Sequence, residues 1–349
     1  QDNQTAQTAS ADNNIYFRTA FLINLQNGGI GLRITSLQEC GSKRTTKVRV
    51  GFEEFRLLQK TVFSVCPWAF APNCLLVGHF HTAEITRNAH QMVPLPPIQP
   101  PFAEVYDERN DEWKRIVLID GRSPPPSKHR LGVCLQPMYL MADWPLIPHF
   151  FETWIGNGAT IFYVYVHSVS EEVDLMLRMY EAQEEIEVVR VNWPAIPTNI
   201  SDHDELNPNN RMYRTEVLTA VNDCILRARA TADLVVSSDL DEIIAPLNIN
   251  GTNETLLDII EANRTKLHKL WNSHSSRMIG NSISYFQNDW FSISHPSQLT
   301  FDHYYSVDYE TKVWPRGYRS KVVVYMPDRV YRAHVHDVTA FESKRLKRL

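Results

Sequence analysis

Hydrophobic and polar positions alternate along the first quarter of the chain. "IYFRTAFLI", "IGLRITSL" and "TKVRVGF" each carry the two-residue period of a half-buried strand, and "QNGG" and "CGSK" separate them as turns. This strand pattern runs from Ile15 to about Ile85. The polar residues before it, 1–14, lack the apolar content to order themselves and read as a disordered stem. Thr61 to Gly78 is a long uncharged stretch, but Pro67, Pro72 and Asn73 interrupt it, which predicts buried strand and loop rather than a membrane helix.

Two proline tracts, "PLPPIQPPF" from Pro94 and "SPPPSK" from Ser123, flank another strand-like piece and read as a linker region. From Arg130 the period changes. "RLGVCLQ" is a strand, "DWPLIPHFFETWIGNG" has helical spacing, and "TIFYVYV" is a buried strand. "SEEVDLMLRMYEAQ" is a helix with Ser170 as its N-cap and two glutamates in its first turn. "IEVVRVNW" is a third strand, "YRTEVLTAVNDCILRARA" a long helix, and "DLVVSS" a fourth strand. Such alternation predicts an α/β domain with a mostly parallel sheet covered by helices on both faces. The predicted organisation is a stem over 1–14, a smaller β-rich N-terminal domain with its proline-rich linker over 15–125, and the α/β domain over 126–349.

The chain has 349 residues, 43% of them hydrophobic, and a net charge of −5. That balance argues against a nucleic-acid binder, and the one basic run, Lys344 to Arg348, reads as a solvated chain end. The five cysteines (Cys40, Cys66, Cys74, Cys134, Cys224) form no C-x-x-C pair, which argues against structural zinc. Cys66 and Cys74 are near enough in sequence for a local bridge, and Cys134 and Cys224 are either paired or simply buried. N-x-S/T sequons fall at Asn3, Asn199, Asn250, Asn253 and Asn263, three of them in one polar stretch. Together these features place the expected compartment in the secretory pathway. A first residue of Gln fits a processed or truncated product, with any membrane anchor upstream.

The candidate chemistry lies in "DLVVSSDLDEIIAP", Asp233 to Pro246. A buried strand ends in Asp239, Asp241 and Glu242, and adjacent carboxylates repel one another unless a cation neutralises them. A hard divalent cation prefers oxygen ligands and keeps positions open for phosphate, so D-x-D at a strand end reads as a metal–diphosphate site. An isolated D-x-D is equally common as a solvated helix cap; its place after a fourth strand, where open α/β sheets bind ligands, favours function. A haloacid-dehalogenase-like phosphatase also uses a strand-end D-x-D, but it wants Thr or Val next and a later acidic pair. Here Glu242 follows and no Asp-Asp pair occurs downstream.

The segments "GVCLQPMYL", "DWPLIPHFFETWIGNGATIFYVYVHS", "YRTEVLTAVNDCILRARATADLVVSSDLDEIIAP" and "RSKVVVYMPDRVYRAHVHDV" resemble glycosyltransferase family 92, in the family's order, across Arg130 to Val338. The resemblance implies a GT-A fold, a type II membrane protein of the Golgi lumen, and a UDP-sugar donor with Mn²⁺ or another divalent cation. It further implies inversion at the anomeric carbon: galactose from UDP-galactose passes to a glycan acceptor, the core fucose of an N-glycan, in β1,4 linkage. Asp239 and Asp241 match the metal motif, and His336, with His334 as the alternative, matches a late metal-binding histidine. Lys321, Arg319 and Arg214 are the cations expected at the donor, with Asp239 also on the donor side. Inversion needs a general base; Asp289 is the choice among Asp289, Asp302, Asp308 and Glu310, and Trp290 and Trp314 are candidate sugar-stacking rings. A non-catalytic carbohydrate-binding relative with the same fold is the competing reading; release of UDP from a UDP-sugar separates the two.

Overall fold

The computed structural model describes residues 14–25, 29–42, 46–51, 53–57, 59–69, 71–85, 102–107, 111–122, 127–241, 254–262, 283–287, 309–313, 323–334 and 337–342. The chain divides into two compact units, Gln1–Arg122 with Ala195–Thr219, and Ser123–Pro194 with Ala220–Leu349.

The first unit is a sheet of eight strands: β1 (Ile15–Asn24), β2 (Ile30–Glu39), β3 (Lys47–Val50), β4 (Glu53–Arg56), β5 (Gln59–Val62), β6 (Leu76–Ile85), β7 (Phe102–Asp107) and β8 (Glu112–Asp120). Their order is β4-β3-β7-β8-β1-β2-β6-β5, antiparallel throughout except for the parallel pair β1/β8. The alternating positions Leu22, Leu32, Ile34, Ala83, Val105 and Leu118 form the core of one face. The uncharged stretch from Thr61 contributes the end of β5, a loop and the start of β6, as its prolines predict.

Residues 195–219 belong to this unit although the sequence pattern groups them with the α/β domain. Ile196 and Met212 pack on Leu37 and Leu76, and Met212 bridges to Leu76. The predicted long helix from Tyr213 therefore starts late, at Val217. Arg214, Thr215 and Glu216 take left-handed φ values of 41°, 51° and 70°, a conformation that costs on the order of 1–3 kcal/mol per residue. The buried Glu216 carboxylate accepts two hydrogen bonds from the Arg18 guanidinium, one from Nε at 3.1 Å, and this tertiary ion pair overrides local helix propensity. The cysteine expectation also changes. Cys66 bridges to Cys40, with Cα atoms 5.5 Å apart, because the end of β2 lies beside the chain entering β6, where the Cys40 amide donates to the Leu75 carbonyl. Cys74 is left as a free thiol, raised above its usual pKa by burial.

The second unit is built on a five-stranded sheet: β9 (His129–Met138), β10 (Ile161–Val166), β11 (Glu187–Asn192), β12 (Ala232–Ser238) and β15 (Val323–Tyr325). The order is β11-β10-β9-β12-β15; the first four are mutually parallel and β15 is antiparallel. Helices α1 (Leu146–Gly156), α2 (Glu171–Glu181) and α3 (Val217–Ala228) connect the parallel strands, and α4 (Leu256–Ala262) follows β12. Strands β13 (Ile283–Gln287) and β14 (Tyr309–Val313) pair as a ribbon, and β16 (Val330–His334) pairs with β17 (Asp337–Phe341).

Helical spacing explains the packing. Ile147, Phe150, Phe151 and Trp154 line one side of α1, and Phe151 stacks on Tyr180 of α2 at 4.2 Å. These helices, with Leu256 and Ile260 of α4, cover one face of the sheet. Helix α3 and β16 cover the other through Val221, Cys224, Ile225, Val330 and Ala333. Ser170 caps α2 as its sequence predicts, accepting from the Val173 amide at 3.4 Å. Gly158 sits at φ +93°, and a Cβ there would come within 2.9 Å of Leu257, so both conformation and space require glycine. The bridge Cys134–Cys224, Cα atoms 6.1 Å apart, ties α3 to β9.

Candidate functional site

Numbered among themselves, the four parallel strands lie in the order 3-2-1-4. Strands one and two are connected on one face of the sheet and strand four arrives from the other, so the order reverses between β9 and β12. Such a reversal opens a crevice outside the carboxyl ends of the two strands. Asp239 and Asp241 leave β12 at this point. Val235 and Val236 are buried in the strand, and Leu240 returns to the core that holds Leu234 and Val236. This apolar anchor separates a partly buried Asp239 from an exposed Asp241. Ser238 donates to the Asp239 carbonyl at 3.0 Å, and among the described residues the buried Ser237 hydroxyl has no hydrogen-bond partner.

The neighbouring strand ends add a feature that the hydrophobic pattern did not single out. After β9 the chain turns through Leu140 at φ 48°, whose amide donates to Ser168 Oγ at 2.7 Å. Tyr139 and Leu140 are 57% and 71% exposed, so two large side chains face solvent at this end of the sheet. The Tyr139 ring packs edge-on against His167, with centroids 5.0 Å apart. The only signal in the sequence is the run "MYLM", which reads equally well as core.

The late histidine segment reaches the same end of the sheet. Helix α3 ends just before β12 begins, so its last turn lies at the amino end of that strand. Traced backwards, Cys224 is bonded to Cys134, which pairs with Ser237 near the carboxyl end of β12. Strand β16 follows α3 in this backward direction. The Val330 carbonyl accepts from Arg229 Nη2 at 2.7 Å, and Ala333 exchanges two hydrogen bonds with the Asn222 side chain, at 2.8 and 2.9 Å. His334, the last residue of β16, therefore stands at the carboxyl end of the sheet on the α3 side, where its carbonyl accepts from the Tyr325 hydroxyl at 3.4 Å.

Beneath this end is a buried charged network. The Asp223 carboxylate, wholly buried, accepts from the Tyr165 hydroxyl and from Arg227 Nε, each at 2.5 Å. Burial, reinforced by the Asp223 charge, pushes the Tyr165 phenol well above its usual range and keeps it a donor. At the opposite end of the sheet, Glu187 accepts from Lys128 at 2.5 Å and lies 3.1 Å from His129 Nε2, which holds its carboxyl below the ordinary value.

Of the residues singled out in the sequence, Asp239, Asp241 and His334 fall within this unit. Arg214 belongs to the first unit, where its guanidinium lies 5.4 Å from the Tyr213 ring. Glu242, Asp289, Trp290, Asp302, Asp308, Trp314, Arg319, Lys321 and His336 lie outside the described residues, and Glu310 is described only as backbone in β14. Among the described residues no three His, Cys, Asp or Glu side chains converge as a metal cage. Two strand-end carboxylates nonetheless suit a cation whose remaining ligands are phosphate and water, because such cations take one or two protein carboxylates. Among the described residues no helix is long and apolar enough to cross a membrane.

The family model of glycosyltransferase family 92 matches residues 129–349. A glycosyltransferase family 92 protein of Caenorhabditis elegans is 26% identical over 114 residues, 33% of this chain and 22% of that relative. The apo structure of the bifunctional glycosyltransferase WbbM aligns with 43% of this chain and 25% of its own length at 10% identity, with a TM-score of 0.22, a likeness too slight to carry an argument about the fold.

Proposed function

Because the chain belongs to glycosyltransferase family 92, we propose that it is an inverting, metal-dependent galactosyltransferase of GT-A type. It would move galactose from UDP-galactose to the fucose of an N-glycan core, forming a β1,4 linkage. The observation that carries the enzymatic part is the position of the acidic pair at the reversal between β9 and β12, with Leu240 anchoring the turn between the two carboxylates. Donor, acceptor and linkage rest on the family resemblance. The Golgi lumen is the compartment proposed, in keeping with two disulfides and an exposed sequon at Asn199.

Asp241 and Asp239 are the residues that would hold Mn²⁺ or a similar cation, with His334 or His336 as the further donor. When bound, the cation supplies positive charge against which a diphosphate can leave. The chain's own part is to hold the carboxylates: Asp241 exposed to an incoming ligand, Asp239 partly withdrawn, and the strand behind them buried. Lys321 and Arg319 are the proposed cations at the donor, and Asp289 the proposed base at the acceptor hydroxyl.

Asp241→Ala tests the reading. The side chain is exposed, so the fold should persist, while transfer from UDP-galactose with Mn²⁺ to a core-fucosylated glycan should fall by at least about 100-fold, the scale of losing one electrostatic stabiliser of a leaving group. Full Mn²⁺-dependent transfer by the variant would remove the D-x-D from the mechanism. Wild-type protein that releases no UDP from any UDP-sugar would favour the binding-module reading. The anomeric coupling of the product decides the stereochemistry, an α linkage overturning inversion.

A further inference from the structure

Side chains alternate between the two faces along a strand, and the two cores show which face is which. Leu135, Val164 and Val236 lie in the core covered by α1 and α2, whereas Cys134, Tyr165 and Val235 lie in the core covered by α3. Carried past the strand ends, the alternation puts His167 and Asp239 on the α3 face; Leu240, back in the first core, agrees. Met138 is also in the first core, so Tyr139 follows onto the α3 face, where its ring meets that of His167. The ends of β10, β9 and β12 thus present His167, Tyr139 and Asp239 on one face, at the crevice where the strand order reverses.

The turn that carries Tyr139 is held in place. The His167 and Ser168 amides both donate to the Met138 carbonyl at 3.0 Å, Met141 donates to the Ser168 carbonyl at 3.1 Å, and the Ser170 amide donates to the Met141 carbonyl at 2.8 Å. Within this turn Leu140 is left-handed, a strain that proteins retain chiefly at ligand clamps and active sites. His167 meets the Tyr139 ring at 74°, an edge contact that covers at most one face, and Tyr139 remains more than half exposed. A ring fixed in this way loses little freedom when a second planar ring stacks on it.

Spacing indicates which ring. Ser238 of β12 pairs with Leu135, and β9 carries one extra residue against β10 between Leu135 and Met138. Tyr139 therefore lies about two residues further out than Asp239 and one strand across, about 8 Å in all at ~3.3 Å per residue and ~4.8 Å between strands. In a nucleotide the ribose separates base from diphosphate, so a diphosphate at Asp239 and Asp241 leaves its base at such a remove. We infer that Tyr139 is the stacking platform for the nucleobase of the donor, with His167 buttressing its ring. The inference rests on the nucleotide-sugar reading above.

The test titrates the whole chain with UDP and, separately, with inorganic diphosphate, each with Mg²⁺, by isothermal calorimetry. Wild type should bind UDP more tightly than diphosphate. Tyr139→Ala should weaken UDP binding by about 5- to 150-fold, the scale of removing one aromatic platform from a base, and leave diphosphate binding unchanged. Because the side chain is exposed the fold should persist, and the retained diphosphate affinity checks this. Tyr139→Phe keeps the ring face and should bind UDP as wild type does; Tyr139→Leu is apolar without a π face and should resemble Tyr139→Ala. Equal UDP affinity in wild type and Tyr139→Ala would overturn the inference and leave the nucleotide-sugar reading intact. So would equal losses for UDP and diphosphate, which would place the effect of the turn on the phosphates. A wild type that binds diphosphate and gains nothing from the uridine would overturn it too. Binding of neither ligand by the wild type would overturn the inference and the reading together.

Discussion

Replacing Asp223 by alanine should destabilise the second unit by about 3 kcal/mol, the lower end of the cost of breaking a buried ion pair. Three features set the figure. Asp223 is fully buried, and one of its oxygens accepts from both Tyr165 and Arg227. The Arg227 side chain is only 15% exposed, so it has little water to replace the lost carboxylate. Burial pulls its guanidinium down, and the Asp223 charge, together with Tyr165 and the hydrogen bonds to both, outweighs this and holds it above its ordinary range. The lower end applies because, among the described residues, the second carboxylate oxygen has no hydrogen-bond partner to forfeit. Asp223→Asn keeps the shape and one acceptor, and should cost about 1.5–3 kcal/mol, as expected for hydrogen bonds to charged groups. The chain has eight tryptophans and two compact units, so bulk fluorescence would mix transitions. Hydrogen exchange by mass spectrometry, with urea raised stepwise and peptides taken from β10 and α3, reads the local opening free energy instead. A loss below about 1 kcal/mol for Asp223→Ala would refute the reasoning, because Arg227 would then have found other solvation inside the fold.

Two further expectations concern the frame around the site. Glu187 is held below the ordinary carboxylate value of 4.5, chiefly by Lys128 and then by His129. Its contribution to stability is therefore present above that pH and lost as pH falls through the lowered folded value; denaturation midpoints between pH 6 and 3 should decline less steeply in Glu187→Gln, and identical slopes would remove Glu187 from the acid response. The bridge Cys134–Cys224 closes a separation of 90 residues, so Cys134→Ser with Cys224→Ser should lose about 2–5 kcal/mol. Non-reducing peptide mapping of chain secreted from eukaryotic cells should find this bridge and Cys40–Cys66, with glycan at the exposed Asn199; reduced cysteines throughout would contradict a luminal protein.

The amino-acid pattern by itself determined strands β9 to β12 and helices α1 and α2, and it singled out the end of β12 as the proposed reactive point. Strands β9 to β12 are short and strongly apolar and α1 and α2 are periodic, so local spacing sufficed; the carboxylates of Asp239 and Asp241 stand out because like charges gathered at the end of an apolar strand repel one another. Other features depended on contacts between residues far apart in sequence. Spacing cannot tell that Cys66 meets Cys40 rather than Cys74, because that depends on where the end of β2 falls beside the chain entering β6. Helical propensity runs through Arg214 to Glu216, yet a guanidinium nearly two hundred positions away, on Arg18, holds those residues left-handed, an ion pair that no local rule contains. The segment 195–219 leaves the α/β unit for the same reason: its apolar residues find their partners on Leu37 and Leu76. The order 3-2-1-4 follows from which face each helix covers, and the place of Ala333 follows from a buried amide on α3. Elements form from near neighbours along the chain, whereas a site forms from residues that only the packed sheet brings to one end.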